Sequence, residues 1–183
     1  MTDEADKPLR KPPRQVTAAY LQRAALAYLE RYASSAENLR RVLRRKVDKR
    51  CRLRGEDPAA FQDMIDEVVA KSLRSGLIDD TRYAEARVAT LRRRGGSARA
   101  IQAKLSAKGV DRATIAAVLE QDDGNEEQAA RAFARRRKLG PFRSGERAPY
   151  RDKDLAAMAR AGFRFDVARH VIDGEKDDEL TGM

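Results

Sequence analysis

The sequence predicts an all-α protein, an elongated tandem array of three three-helix repeats. Apolar residues recur at spacings of three and four along nearly the whole chain. No segment alternates with the period of two that a half-buried strand requires. Helix stop signals return at short intervals: Ser75-Gly76, Gly95-Gly96, Lys108-Gly109, Gly140-Pro141 and Gly162. Composition agrees. Of 183 residues, 37% are charged, 5% are aromatic and none is Trp, so one deep core is out of reach and small bundles with thin apolar seams fit better.

Taken in order, residues 1–15 read as a disordered arm, polar and carrying Pro8, Pro12 and Pro13. Leu21, Ala25, Tyr28, Leu29 and Tyr32 line one face of a first helix. Ser34 and Glu37 form a capping box for a second, whose stripe is Leu39, Val42, Leu43 and Val47. The basic stretch 47–57 reads as an insertion. Asp57-Pro58 is an N-cap followed by a first-turn proline, opening a helix with Phe61, Ile65, Val68 and Ser72. These segments make a first repeat over 16–76.

A second repeat spans 77–122. Asp79-Asp80 opens a helix with Ala84, Val88 and Leu91; Ser97 caps one with Ala98, Ile101 and Leu105; Asp111 caps one with Ile115, Val118 and Leu119. A third spans 123–173, after a linker over Asp122 to Asn125. Its helices run from Glu126 to Lys138, then through Leu155, Met158 and Ala159, then through Val167, Val171 and Ile172. Residues 174–183 read as an acidic, frayed tail.

The repeats share positions. Leu105, Gly109, Val110, Val118 and Leu119 recur at one constant offset as Met158, Gly162, Phe163, Val171 and Ile172. Leu29, Ser35, Leu39 and Leu43 recur as Leu91, Ser97, Ile101 and Leu105. Such units bury little surface alone and are stabilised by stacking on neighbours.

Charge narrows the function. With 39 basic and 29 acidic side chains the formal net charge is +10, and the pI is about 10.0. That favours polyanions or an acidic protein face. Most of the base is Arg, whose planar fork makes two parallel hydrogen bonds to phosphate or carboxylate. Cys51 is the only cysteine, which excludes an intrachain disulfide and agrees with a reducing cytoplasm. The N-terminus lacks a signal-peptide apolar region, and no apolar run approaches the ~20 residues that span a bilayer. A cytoplasmic monomer without membrane contact is expected.

Catalytic signatures are scarce. There is no phosphate-cradling glycine loop and no dinucleotide fingerprint. Gly95-Gly96 precedes a helix start and reads as a helix break in preference to an anion site. His170 is the only histidine, so a histidine-based metal cluster is excluded, and it sits near a helix end where a cation is favourable. Cys51 lies among Lys49, Arg50, Arg52 and Arg54, which would lower a thiol pKa, yet no histidine is near in sequence; it reads as a surface thiol in the insertion. Asp79-Asp80 reads as a cap. No catalytic, cofactor or metal residue is expected.

Three basic runs are the candidate partner or DNA-binding residues. The first contains Arg40, Arg41, Arg44, Arg45 and Lys46 and continues through Lys49, Arg50, Arg52 and Arg54. The second is Arg92, Arg93 and Arg94; the third is Arg135, Arg136, Arg137 and Lys138, after Arg131. Cations at helix C-termini are stabilising in themselves, by ~0.3–1 kcal/mol, which accounts for the last two runs. The first extends through its helix, and its like-charged i, i+4 pairs are unfavourable unless an anion is near. No helix shows the Asn/Gln/Arg mix of major-groove readers.

The segment Leu77-Ile78-Asp79-Asp80-Thr81-Arg82-Tyr83-Ala84 resembles the "hydrophobic-Asp-Asp-x-aromatic-Ala" signature of the RecX family. Gly96-Ser97, Ile101, Leu105, Lys108-Gly109-Val110, Ile115 and Leu119 are similar to that family's middle repeat. Leu155, Arg160-Ala161-Gly162-Phe163 and Val167 to Ile172 resemble its closing motif, with Ala161 where Arg is usual. Ala24 to Leu43 is similar to its opening. The resemblance covers about residues 17–172; the basic stretch at 47–57 and the acidic tail depart from it. It implies a non-enzymatic regulator that binds the RecA recombinase filament, inhibits strand exchange and DNA-dependent ATP hydrolysis, and so modulates recombination, DNA repair and the SOS response. The residues alone leave two alternatives: a sequence-independent DNA-binding module acting without RecA, and a metal-dependent nuclease using Asp79 and Asp80.

Overall fold

The computed structural model describes residues 13–122 and 126–175. Most of the expected N-terminal arm, all of the expected linker but Asp122 and nearly all of the acidic tail lie outside those residues. The chain divides into two compact units, Met1–Asp79 and Asp80–Met183. All regular structure among the described residues is helical.

The first unit holds α1 (Ala18–Leu29), α2 (Ala36–Arg54) and α3 (Gln62–Arg74). Each helix packs on the other two. Leu21, Leu39, Leu43, Val47, Ile65 and Val69 are fully buried at their centre. Burying a side chain of this size stabilises by roughly 1.5–3 kcal/mol. Thr17 caps α1, accepting from the Tyr20 N–H at 3.2 Å.

Two expectations need correction here. The cap of α2 is Ser35, not Ser34: Ser35 has extended backbone angles, which aim its Oγ at the Asn38 N–H, 3.2 Å away. Ser34 accepts instead from the Asn38 side chain at 2.8 Å. The basic stretch is also no looped insertion. α2 runs 19 residues without a break, and Val47 and Cys51 extend the buried stripe of Leu39 and Leu43 at successive i+4 positions. Gly55, in the left-handed region, ends it. Asp57 then caps the 3-10 turn Pro58–Phe61 that leads into α3.

The second unit holds two bundles. α4 (Asp80–Arg93), α5 (Ala98–Ala107) and α6 (Arg112–Glu120) surround Ala84, Val88, Ile101, Leu105 and Ile115. α7 (Glu126–Arg137), α8 (Arg151–Arg160) and α9 (Phe165–Asp173) surround Ala130, Ala134, Met158, Phe163 and Val171. Equivalent residues take equivalent places. Leu105 and Met158 are both buried, and the N–H of Val110 and of Phe163 each closes a helix end by donating to them at 3.2 Å. Ser35 and Ser97 are both fully buried N-caps.

The third bundle starts differently. α8 has no side-chain cap. The segment before it is held by Asp154, only 2% exposed, which accepts from the Gly140 N–H at 2.8 Å and from Arg143. Arg143 also lies 4.3 Å from the centre of the Tyr150 ring. A carboxylate this buried needs such partners. Among the described residues no helix is long and apolar enough to cross a membrane.

Candidate partner-binding surface

α2 positions the first basic run, but acids neutralise much of it. Glu37, in the first turn, accepts from Arg40 at 2.6 Å and from Arg41 at 3.3 Å. Arg40 reaches across to Asp66 of α3 at 2.6 Å, and Arg44 donates to Gln62 at 3.0 Å. Gln62 in turn donates to Asp66 at 2.7 Å. Burial pushes the Glu37 carboxyl up, but the hydrogen bonds and charges of Arg40 and Arg41 outweigh it, and its pKa lies below the ordinary value. Hydrogen bonds from Gln62 and Arg40 hold Asp66 below its own. Arg45 and Lys46 are exposed and have no such partner among the described residues.

Further along α2 two cations serve the fold. Arg50 lies 3.6 Å from the centre of the Tyr20 ring and donates to the Arg14 carbonyl at 2.7 Å. Arg54 donates to the Pro13 carbonyl at 2.9 Å and pairs with Glu56 at 2.6 Å. Together they strap the chain entering α1 onto the end of α2. Cys51 belongs to this core: it is fully buried, not a surface thiol. Burial first, then the nearby Glu56, Asp48 and Asp57, push its thiol pKa up, opposite to the effect expected from its basic neighbours.

Runs two and three, over 40 residues apart in sequence, come together in the second unit. The Arg136 guanidinium donates to the Arg94 carbonyl at 2.5 Å, which joins the C-terminal ends of α4 and α7. Gly95 permits the approach. Its φ is +69°, and a Cβ there would meet the Phe133 nitrogen at 2.6 Å. Arg93, Arg94, Arg136, Arg137 and Lys138 are all exposed around this junction. Arg135 faces the Phe142 ring at 5.3 Å and Arg136 the Phe133 ring at 5.7 Å. Cations near two helix C-termini are favourable in themselves, and all five exposed side chains of the junction stand in solvent.

Arg92 is the exception. Its side chain is 12% exposed and pairs with Asp122 at 2.7 Å and with Glu126. Grouped by sequence with the candidate partner-binding cations, it belongs to the interior because α4 turns it toward the start of α7. Glu126 also accepts from the Ala98 N–H at 3.1 Å, so one carboxylate holds Arg92 and closes the first turn of α5. Sequence reasoning missed the roles of Glu126 and Asp154, and it gave the Ser97 hydroxyl its cap but not its second bond, the donation to the Ala161 carbonyl at 2.7 Å. Their partners are far away in sequence, and no local signal marks them.

The other candidates fall into place. Asp80 is the first residue of α4. His170, near the end of α9, lies 3.2 Å from Glu127 of α7. Among the described residues no group of three or more His, Cys, Asp or Glu side chains is arranged to hold a metal.

Comparison with known proteins adds a relationship. Residues 79–119 match the family model described as the second three-helix domain of RecX. A regulatory protein RecX from Myxococcus xanthus is 43% identical over 167 residues, covering 89% of each chain. One from Agrobacterium fabrum is 33% identical over 155 residues, covering 84% of this chain and 82% of its own. The crystal structure of RecX from Lactobacillus salivarius superposes with a TM-score of 0.62 at 22% identity, covering 85% of this chain and 94% of that one. A second, of a regulatory protein RecX, gives 0.63 at 19% identity, covering 86% and 72%. At those identities the two structures speak for the fold.

Proposed function

The chain belongs to the RecX family of regulatory proteins, and from that premise we propose that it is a non-catalytic modulator of the RecA recombinase, binding the recombinase filament on DNA and inhibiting strand exchange and ATP hydrolysis. The observation that carries this reading is the 43% identity to a regulatory protein RecX, sustained over 89% of both chains. The physics is compatible. A basic surface speeds encounter with an acidic protein face or a DNA backbone and makes binding fall with salt. The three bundles, over 16–76, 77–122 and 123–173, are the repeats of the array, and the protein works in the cytoplasm as a monomer.

A second reading keeps one observation in its favour. The junction of α4 and α7 gathers Arg93, Arg94, Arg136 and Arg137 on one surface, which suits the phosphate backbone of DNA without base readout. A strand-exchange titration with RecA, run beside DNA binding without RecA across salt concentrations, separates the two. Loss of strand exchange at sub-stoichiometric protein, under conditions where DNA alone is not saturated, supports the regulator. No effect at stoichiometric dose and moderate salt overturns it. Inhibition that follows DNA occupancy alone supports the second reading.

A further inference from the structure

A hollow of about 510 Å³ lies between the second and third bundles of the second unit. Ala98, Arg99 and Gln102 of α5 form one wall, and Phe163 and Arg164, just before α9, with Val167 in its first turn form the other. Its shape is fixed from below. The Ser97 hydroxyl donates to the Ala161 carbonyl at 2.7 Å, and a Cβ on Gly162 would meet that hydroxyl at 2.6 Å. The floor is apolar: Phe163 is 4% exposed, with Ala98 and Val167 beside it.

The rim carries the opposite chemistry. Arg99 and Gln102 are exposed, with no hydrogen-bond or ionic partner among the described residues. Arg164 is 81% exposed in a pair with Asp166 that solvent weakens. Glu126, the carboxylate lining the hollow, is already held by Arg92 and the Ala98 N–H, so little of its charge remains to repel an anion. An apolar floor under a cationic rim fits a peptide segment that has one large apolar side chain next to a carboxylate: the side chain leaves water for the hollow, and the carboxylate meets the Arg99 fork. A nucleic-acid strand fits less well. Phe163, the ring in the floor, is buried and offers no face on which a base would stack.

We propose that this hollow seats an acidic segment of the protein partner through one apolar side chain, with Arg99 pairing to its carboxylate. The inference rests on the regulator reading above and deepens it. The test uses the full chain with Arg99→Glu and, separately, Gln102→Trp, which fills the hollow from an exposed position. Binding is measured to RecA without DNA, and in parallel to a fluorescein-labelled oligo(dT), with circular dichroism as the folding control. The expected result is binding to RecA weakened about tenfold or more in both variants, as for a central contact, with oligo(dT) affinity unchanged. Variants that bind RecA like the wild type overturn the assignment while leaving the regulator reading intact. A parallel loss of oligo(dT) affinity overturns it in favour of a nucleic-acid strand. A wild-type chain that binds RecA neither free nor as a filament on DNA overturns the regulator reading itself.

Discussion

Two cation-rich regions look alike in sequence and differ in the fold. On α2, Arg40, Arg41 and Arg44 lie around Glu37, Asp66 and Gln62. At the α4–α7 junction Arg93, Arg94, Arg136 and Arg137 crowd together on an exposed surface. The first region holds helices of one bundle together; the second presents charge to whatever approaches. Counting basic residues cannot separate these roles. What decides is whether a neighbouring element supplies an acid, and that depends on how helices meet.

The comparison breaks most visibly at Gly95. Gly95→Leu puts a branched side chain at φ +69°, where a Cβ already lies 2.6 Å from the Phe133 nitrogen. A loss of about 3 kcal/mol is expected from strain and overpacking together, read as a lower midpoint in thermal unfolding. On the reading that this surface meets DNA, DNA affinity is expected to fall as well, although no charge has been removed, because α4 and α7 are pushed apart. Unchanged stability would show that the junction is looser than described.

Next come the two charge reversals. Changing Arg93, Arg94, Arg136 and Arg137 to Glu should weaken salt-sensitive DNA binding at least about tenfold and flatten its dependence on salt. Changing Arg40, Arg41 and Arg44 to Glu should act mainly on stability, by about 1–2 kcal/mol in urea unfolding, since Glu37 and Asp66 lose their donors and meet like charge. Equal effects of the two sets on binding would erase the distinction.

The smallest effect is in acid. The folded-state pKa values of Glu37 and Asp66 lie below their ordinary ones. Their contribution to stability is therefore complete above the ordinary carboxylate range and is lost as pH falls through the lowered values. Both groups are partly exposed, so the loss is modest. Urea unfolding between neutral pH and pH ~3 should show a shallower acid decline for Arg40→Gln than for the wild type. An identical decline would place the acid-sensitive pairs elsewhere.

Much of the fold was legible in the sequence. The caps Ser97, Asp111 and Asp57 act as their residue types suggest, and most of the periodic apolar positions are buried or half-buried; the exceptions are Tyr32, which lies past the end of α1 at Leu29 and is exposed, and Ala159, exposed on α8. Reading Cys51 as a surface thiol comes from weighing charge above period. Val47 and Cys51 continue the i+4 stripe, and no Gly or Pro interrupts it before Gly55. The site was less legible. Arg40 finds Asp66 on a different helix, and Arg92 finds Glu126 on another. Local patterns carry no record of such pairings, nor of the turn at Gly95 that unites two distant basic runs.

The Glu126 carboxylate has a consequence for how the second unit comes apart. Fraying of α7 at Glu126 removes the acceptor at the α5 N-terminus and strips Arg92 of a counter-ion in the same event. Backbone amides of α5 and α7 should then exchange with deuterium through one shared opening, at rates that rise together in mild denaturant, while those of α1 to α3 open on a schedule of their own.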